Sequence, residues 1–300
     1  MNPDEISLVP LGARTQFVTL IGNPVAHSLS PAIHNAAFRE HGLNFAYVAL
    51  KVEEDDLPAA VAGLRALGFA GANVTAPHKQ SVIPELDAIS AQARAVGAVN
   101  TIVRRVSRES VRLEGENTDV AGFLAPLLEH AGHIRSASVT VLGSGGAARA
   151  VAYAVLTTFA PRRLTILART PERAERLAAD LAGFDETSAL NVLPLREGEG
   201  AREAVRRSSL VVNATPLGTH PNTDRTPWEY AGDFSPEHVV YDLVYNPRYT
   251  RLLREASDQG AATIDGLEML IGQAAAAYAL WTGREMPTDV VREALRPLPV

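Results

Sequence analysis

The chain has no cysteine among its 300 residues. That absence removes disulfides, thiol nucleophiles and cysteine-ligated zinc together, and it suits a reducing compartment such as the cytoplasm. Aromatic residues make up only 6% of the sequence, too few to promise a broad aromatic pocket. Long hydrophobic runs are missing as well. The longest, such as AAAAYALW at 274–281, fall far short of the roughly 20 residues that cross a bilayer, so no membrane partner is expected. No basic stripe breaks the mixed-sign charge pattern, whose net value is −6, and nucleic acid is not an expected partner. The first residues, MNPDEISLVPLGARTQ, carry Asp4 and Glu5 and lack the apolar core of a signal peptide. Pro3, Pro10 and Gly12 mark residues 1–16 as a loose leader.

What is present is an ordinary globular balance, 46% hydrophobic and 21% charged, in a chain long enough for two domains. In the first third, strand patterns at 17–22, 45–50 and 69–74 alternate with helical patterns at 31–41, 56–68 and onward through Ala95. AVNTIVRR (98–105) and VRLEG (111–115) read as a strand pair. Helices between strands predict a largely parallel α/β sheet. Residues 117–132 read as one helix joining the domains, capped by Asn117, Thr118 or Asp119. A second series of strands follows at 138–143, 164–168, 209–214, 238–244 and 261–265, with 191–195 as a sixth candidate. Helical patterns at 146–158 and 171–182 separate the first of them, which is the doubly wound, Rossmann-like layout. The apolar helix from Leu267 to about Trp281 is richer in Ala, Leu and Met than an exposed helix needs, and we expect it to cross back onto the first domain.

The most specific local signal is SVTVLGSGGAARA. A strand runs into Gly143, Ser144, Gly145, Gly146, Ala147 and Ala148 and then a helix, the G-x-G-x-x-A form. Gly143 permits a tight turn and Gly145 lets a pyrophosphate approach the backbone, while the helix N-terminus offers N–H groups to the anion. In NAD-binding folds an acidic residue about 20 positions on takes the ribose hydroxyls. Here the second strand ends instead in Arg169 and Thr170, with Arg173 one turn later, and a guanidinium can fork onto a 2′-phosphate that a carboxylate would repel. NADP is the expected cofactor. The bland alternative makes these residues solvated charges at a helix start.

Polar clusters sit where first-domain strands end. In NPVAHSLSPAIHN (23–35), Ser28 and Ser30 precede a Pro-started helix. They make either a seat for a carboxylate or simple capping, with Ser30 as N-cap and Pro31 at N1. In GANVTAPHK (71–79) a buried strand pattern stops at a proline and presents Asn73, Thr75 and Lys79. Asn100-Thr101 and Asn117-Thr118-Asp119 follow. Each could be turn chemistry alone. Together they supply one base or acid, one carboxylate and several hydrogen-bonding arms, as a polyhydroxylated substrate beside a nicotinamide needs. His27 and His34, seven residues apart with no third ligand in view, do not make a metal site, and no metal is expected.

From about Phe17 to Arg296 the sequence resembles the shikimate dehydrogenase family. The likeness rests on an ordered series: NPVAHSLSPAIHN, GANVTAPHK, GAVNT (97–101), GENTD (115–119), VLGSGGAARA, ART (168–170), NATPLG (213–218), DLVYNP (242–247) and GLEMLIGQAAAAYALWTG (266–283). The resemblance implies an N-terminal α/β substrate domain, residues 1–118 with 267–300, and a Rossmann-like NADP domain, residues 119–266, with the C-terminal helices packing back on the first. It implies Lys79 and Asp119 as the catalytic pair, and Ser28, Ser30 and Tyr245 around the substrate carboxylate. Asn73, Thr75, Asn100 and Gln273 would bond its ring hydroxyls. Gly143 through Ala147 would line the pyrophosphate, Arg169, Thr170 and Arg173 the 2′-phosphate, and Gly266 and Met269 the nicotinamide. Ala168 departs from the asparagine that often precedes Arg-Thr, Ser144 from a common alanine, and Ala76 from a larger apolar residue.

The implied activity is reversible NADPH-dependent reduction of 3-dehydroshikimate, by a cytoplasmic monomer or homodimer. A methylenetetrahydrofolate dehydrogenase is the rival enzyme, but its pterin asks for aromatic lining that the polar clusters lack. A non-catalytic NADP-binding sensor is the rival from another class, and it gives no reason to keep both Lys79 and Asp119.

Overall fold

The computed structural model describes residues 11–185, 190–195 and 198–296. Of the expected leader, residues 1–10 lie outside the described residues. The remainder is tied down: Gly12 N–H donates to Thr15 Oγ1 at 2.9 Å, and that hydroxyl donates to Asn44 Oδ1 at 2.8 Å.

Two compact units divide the chain. One comprises the described residues up to Ala93, Val99–Thr118, and Ala274 to the last described residue; the other comprises Arg94–Ala98 and Asp119–Gln273.

The first unit runs β1 (Gln16–Gly22), α1 (Ser30–Glu40), β2 (Phe45–Lys51), α2 (Leu57–Ala66), β3 (Gly71–Val74), β4 (Ala88–Ile89), α3 (Ala91–Val96), β5 (Thr101–Val106) and β6 (Val111–Glu116), with α3 reaching into the second unit. Its sheet has the order β2-β1-β3-β5-β6-β4. β1 pairs in parallel with β2 and β3, and β4 with β6, whereas β3–β5 and β5–β6 are antiparallel. The sheet is thus parallel-rich, as expected, with two antiparallel pairings: β5 runs opposite to β3, and a tight turn at 107–110 folds β6 straight back on β5. The helical pattern expected through Ala95 is broken. Residues 75–90 form turns, one 3-10 turn and the two-residue β4, since Pro77 and Pro84 cannot sit in a helix interior.

The second unit continues with α4 (Asp119–Leu124), α5 (Ala131–Ile134), β7 (Ser138–Leu142), α6 (Gly146–Phe159), β8 (Arg163–Ala168), α7 (Pro171–Leu181), β9 (Leu190–Pro194), α8 (Gly198–Arg206), β10 (Leu210–Asn213), β11 (Val239–Asp242), α9 (Arg251–Asp258), β12 (Ala262–Ile264) and α10 (Gly266–Thr282). The single helix expected over 117–132 is instead α4, a 3-10 stretch from Ala125 to His130, and α5. Pro126 removes one helical N–H and forces the tighter winding. All six strands are parallel in the order β12-β11-β10-β7-β8-β9. This is the doubly wound arrangement, with its switch point between β7 and β10. One face buries Val139, Val141, Leu164 and Ile166 under α6 and α7; the other buries Leu142, Leu167, Val211 and Val240 under α8 and α9.

The last elements complete the first unit. Beyond Gln273, α10 sends Tyr278 to His41, with Oη and Nδ1 2.7 Å apart, and its Trp281 Nε1–H donates to Ile102 O at 3.0 Å. α11 (Thr288–Leu295) lies against α1. The expectation that the C-terminal helices pack back on the first domain holds.

Candidate active site

In the first unit, strand direction gathers the polar clusters. β1 and β3 run toward one end of the sheet; β5 starts there, with Thr101 opposite Asn73, and β6 finishes there, with Glu116 opposite Thr101. Ser28 and Ser30 follow β1, Asn73 ends β3, Thr75 and Lys79 lie in the next turn, and Asn100 precedes β5.

Ser30 is not a helix cap. It opens α1 as the first helical residue, Leu29 occupies the N-cap, and no side chain caps the helix. The Ser30 N–H donates to Ser28 Oγ at 3.2 Å, and Ser30 is buried. The Tyr47 phenol donates to Asn73 Oδ1 at 2.7 Å. Asn73 Nδ2 in turn donates to Asn100 O at 3.2 Å and to Thr101 Oγ1 at 3.1 Å. Asn100 grips Thr118: its Nδ2 donates to Thr118 Oγ1 at 3.0 Å and its Oδ1 accepts from Thr118 N–H at 2.7 Å. A continuous buried network thus underlies this end of the sheet, and Asn100 has a structural duty besides any contact with a ligand.

The turn after β3 is held from below. Thr75 N–H donates to Ile21 O at 2.9 Å, and a Cβ on Gly22 would come within 2.3 Å of Thr75 Cγ2, so only glycine admits this approach. Thr75 and Lys79 are each half-buried, whereas Ala76 and Pro77 are exposed. The exposed Ala76 touches nothing that explains the loss of a larger apolar residue.

In the second unit, the C-terminal strand ends carry the candidate cofactor residues. Gly143 adopts φ +115°, and a Cβ there would lie 3.0 Å from Ala214 O and 3.1 Å from Thr215 Cγ2. Gly145 is exposed and an added Cβ would meet nothing within 4 Å. Gly146 starts α6 without a side-chain cap, and Ser144 and Ala147 are half-buried beside it. Arg169 and Arg173 are exposed, and among the described residues neither guanidinium has a protein partner. Thr170 precedes α7 without capping it through its side chain. An open backbone cradle at a helix start, with two uncommitted guanidinium groups after the next strand, fits a dinucleotide bearing an extra phosphate.

Asp119 begins α4 and is buried. A Cβ on Gly122 would lie 2.6 Å from Gln273 N and 2.7 Å from Met269 O, so α4 crosses the start of α10 at backbone distance. This crossing fixes the helices that carry Asp119 and Gln273. Gln273 Nε2 donates to Leu270 O at 2.9 Å, leaving its carbonyl oxygen outside that bond. Met269 is 7% exposed and belongs to the core, and Gly266 lets α10 begin against the end of β11, where a Cβ would stand 2.4 Å from Leu243 O. Tyr245 is half-exposed as a residue, and burial pushes its phenol pKa up.

The motifs at 213–218 and 242–247 hide a support that sequence reasoning missed. Asp242 is fully buried and accepts from Asn213 Nδ2 at 2.8 Å, Val244 N–H at 3.0 Å and Thr250 Oγ1 at 2.7 Å. Burial nevertheless pushes its carboxyl up to about 6. Asn213 Oδ1 accepts from Thr215 N–H at 2.9 Å, so one carboxylate shapes the loops after β10 and β11. A cavity of about 400 Å³, lined by Ser138, Arg163, Thr165, Asn191 and Arg207, sits at the opposite end of these strands and contains none of the candidate residues. Among the described residues no three metal-ligating side chains come together, and no helix is long and apolar enough to cross a membrane.

The chain as a whole is similar to known proteins. The family described as shikimate dehydrogenase substrate binding domain matches residues 20–102, and the shikimate 5′-dehydrogenase C-terminal domain matches residues 266–296. A shikimate dehydrogenase (NADP(+)) of Salinibacter ruber is 57% identical over 290 residues, covering 96% of this chain and 99% of that protein. A crystal structure of a shikimate dehydrogenase in complex with NADP+ superposes with a TM-score of 0.87 at 38% identity, covering 97% of this chain and 98% of the other. The Listeria monocytogenes enzyme, solved with shikimate and NAD, gives 0.84 at 34% identity, covering 95% and 98%. With likeness of this strength running along nearly its whole length, the chain belongs to the shikimate dehydrogenase family.

Proposed function

We propose that this protein interconverts 3-dehydroshikimate and shikimate with NADP, the reductive step of the route to chorismate and the aromatic amino acids. The observation that carries this reading is the 57% identity over 96% of the chain to a relative named for that reaction and cofactor. NADPH, when bound, supplies the hydride. The protein's share is to hold the hydroxylated ring, orient its ketone and manage one proton.

Lys79 donates that proton to the oxygen on which negative charge develops, and takes it back when the alcohol is oxidised. Asp119 is its catalytic partner. Ser28, Ser30 and Tyr245 hold the carboxylate, and Asn73, Thr75, Asn100 and Gln273 bond the ring hydroxyls. Gly143 through Ala147 receive the pyrophosphate, Arg169, Thr170 and Arg173 the 2′-phosphate, and Gly266 and Met269 border the nicotinamide. Residues 1–118 with 267–300 form the substrate domain, and 119–266 the cofactor domain. The open cradle at Gly145 and the uncommitted guanidinium groups support the cofactor roles; the strand ends that gather Ser28, Asn73 and Lys79 support the substrate roles. The enzyme works in the cytoplasm as a monomer or homodimer.

The test is NADPH oxidation, followed by absorbance, with 3-dehydroshikimate, repeated with NADH and with 3-dehydroquinate. Turnover is expected with the first pair and is much weaker with the other two. A preference for 3-dehydroquinate or NADH would replace the substrate or cofactor assignment, and no turnover with any pair would sink the enzyme reading.

A further inference from the structure

A parallel sheet covered on both faces asks for apolar side chains on both. On the face of β7, β8 and β9 that α8 covers, that demand is met at one end of the strands and not at the other. Pairing register sets the side chains in rows. Leu142 stands beside Leu167 and Leu193, but one step down Thr140 stands beside Thr165 and Asn191, and below them Ser138 stands beside Arg163. From the helix come Gly200, Glu203 and Ala204, then Arg207 and Ser208 just past its end, all on one face by their spacing. Small and polar residues thus meet polar ones, and the cavity of about 400 Å³ stays open between them.

The polar groups around this cavity are unequally employed. Thr140 is satisfied by the helix, with its Oγ1 2.8 Å from Ser208 Oγ and 3.3 Å from Ala204 O. Its row-mate Thr165 is 2% exposed and Ser138 is 9% exposed, and both line the cavity. Among the described residues neither hydroxyl has a hydrogen-bond partner, and neither is sealed from the cavity. The Asn191 amide is likewise unpartnered among them. Burying such groups costs free energy unless something in the cavity bonds them. The charge at the rim is one-sided. Arg162 and Arg163 are exposed, and among the described residues their guanidinium groups have no partner. Glu203, the carboxylate of the lining, is already paired with Arg207 and lies 3.4 Å from Arg206 Nη2.

We propose that this cavity is a second ligand site, for a small hydroxylated oxyanion, either a carboxylate or a phosphate. Its charge meets Arg162 and Arg163, and its hydroxyls meet Ser138, Thr165 and Asn191. The volume falls within the roughly 300–1,000 Å³ of small-molecule sites. Because it lies at the strand ends opposite the glycine loop, it takes its ligand alongside NADP and apart from the reaction.

The experiment is calorimetric titration of NADP-saturated protein with inorganic phosphate and, separately, with gluconate, at fixed ionic strength. Saturable binding of at least one anion is expected, with a Kd of about 1 mM or tighter. The tighter of the two tells a phosphate ligand from a sugar-acid carboxylate. Thr165→Val keeps the shape and removes the hydroxyl, and Arg163→Gln removes the charge. Each should weaken binding about tenfold, with kcat and both KM values of the reductase unchanged. No binding of either anion would leave the cavity to ordered water and overturn the proposal. Binding that both variants leave intact would place the anion elsewhere and overturn it equally. Where Thr165→Val gives too little folded protein, Arg163→Gln, at an exposed position, decides alone.

Discussion

The Nε2–H of His78 donates to the carbonyl of Val52 at 2.8 Å, and the next residue in the chain is Lys79. The His78 ring is fully buried, and on the other side of the turn Val99 N–H donates to Lys79 O at 2.7 Å. The backbone beneath the candidate proton donor is thus pinned from two sides, by the residue after β2 and by a residue before β5. His78→Leu removes one pin and leaves the Val52 carbonyl without this donor, at a cost of about 1–3 kcal/mol. Urea unfolding should report that loss, and kcat should fall more than KM rises if the displaced group, Lys79, handles the proton as proposed.

Lys79→Ala leaves the packing of the turn in place and removes the proposed proton donor itself. We expect kcat to fall by about 10²- to 10⁴-fold with KM for shikimate nearly unchanged. Steady-state assays in both directions check this. A raised KM with kcat intact would make Lys79 a binding residue.

Gly143 and Gly145 separate fold from ligand within one loop. Gly143→Ala meets backbone at 3.0 Å and a φ of +115°, so its thermal midpoint should drop by several degrees, about 1–3 kcal/mol of strain. Gly145→Ala meets nothing within 4 Å and should melt like wild type, while KM for NADPH rises as the methyl intrudes on the cradle. Thermal melts and NADPH titrations on the two variants distinguish these effects.

Arg169 and Arg173 are exposed and uncommitted among the described residues, so removing them costs the fold little. Arg169→Ala and Arg173→Ala should each raise KM for NADPH by about tenfold or more, the worth of a charge-assisted bond to phosphate, and leave KM for NADH unmoved. Equal losses with both cofactors would place the arginines elsewhere than at a 2′-phosphate.

His34 sets an acid limit on the first unit. Its ring is fully buried, neither nitrogen has a hydrogen-bond partner, and desolvation lowers its pKa to about 3. The unfolded chain protonates this histidine near 6.5, so its stabilising neutrality is complete above that pH and is lost as pH falls toward 3. Relative to His34→Phe, wild type should lose about 1.4 kcal/mol per pH unit below 6.5. Denaturant unfolding of both proteins at a series of pH values gives that difference. Asp242 leans the other way: with a carboxyl pushed up to about 6, it gains stability as pH falls from there toward 4, and the comparison cancels it because both proteins keep it.

Local chemistry made much of the fold legible. The second sheet reads directly from the sequence because its central strands β7, β8, β10 and β11 are apolar runs buried on both faces, and the glycine loop reads because only glycine tolerates Gly143's backbone. Prolines defeated the helical readings at 75–95 and 117–132, where apolar spacing outweighed Pro77, Pro84 and Pro126. The β5–β6 pair was legible as two strand patterns split by a short polar stretch, whereas the antiparallel pairing of β5 with β3 joins residues too far apart in sequence to be read locally. Around the candidate site, residue types were visible but their partners were not. Ser30 in S-L-S-P looks like a cap from its neighbours in sequence, yet it is the first helical residue, and its own N–H donates to Ser28 Oγ. Tyr47 looks like any strand aromatic, and Asp242 like a strand-end turn former.

The first unit is closed by residues that come last. Tyr278 and Trp281 reach His41 and Ile102, and α11 covers α1, only after the stretch Asp119–Gln273 of the second unit has been synthesised. On a ribosome, the proposed substrate half must therefore wait, partly uncovered, while the cofactor half is completed. Its exposed helix face in that interval is a natural target for chaperones. A stalled or truncated message would then yield a finished nucleotide-binding unit attached to an unfinished partner.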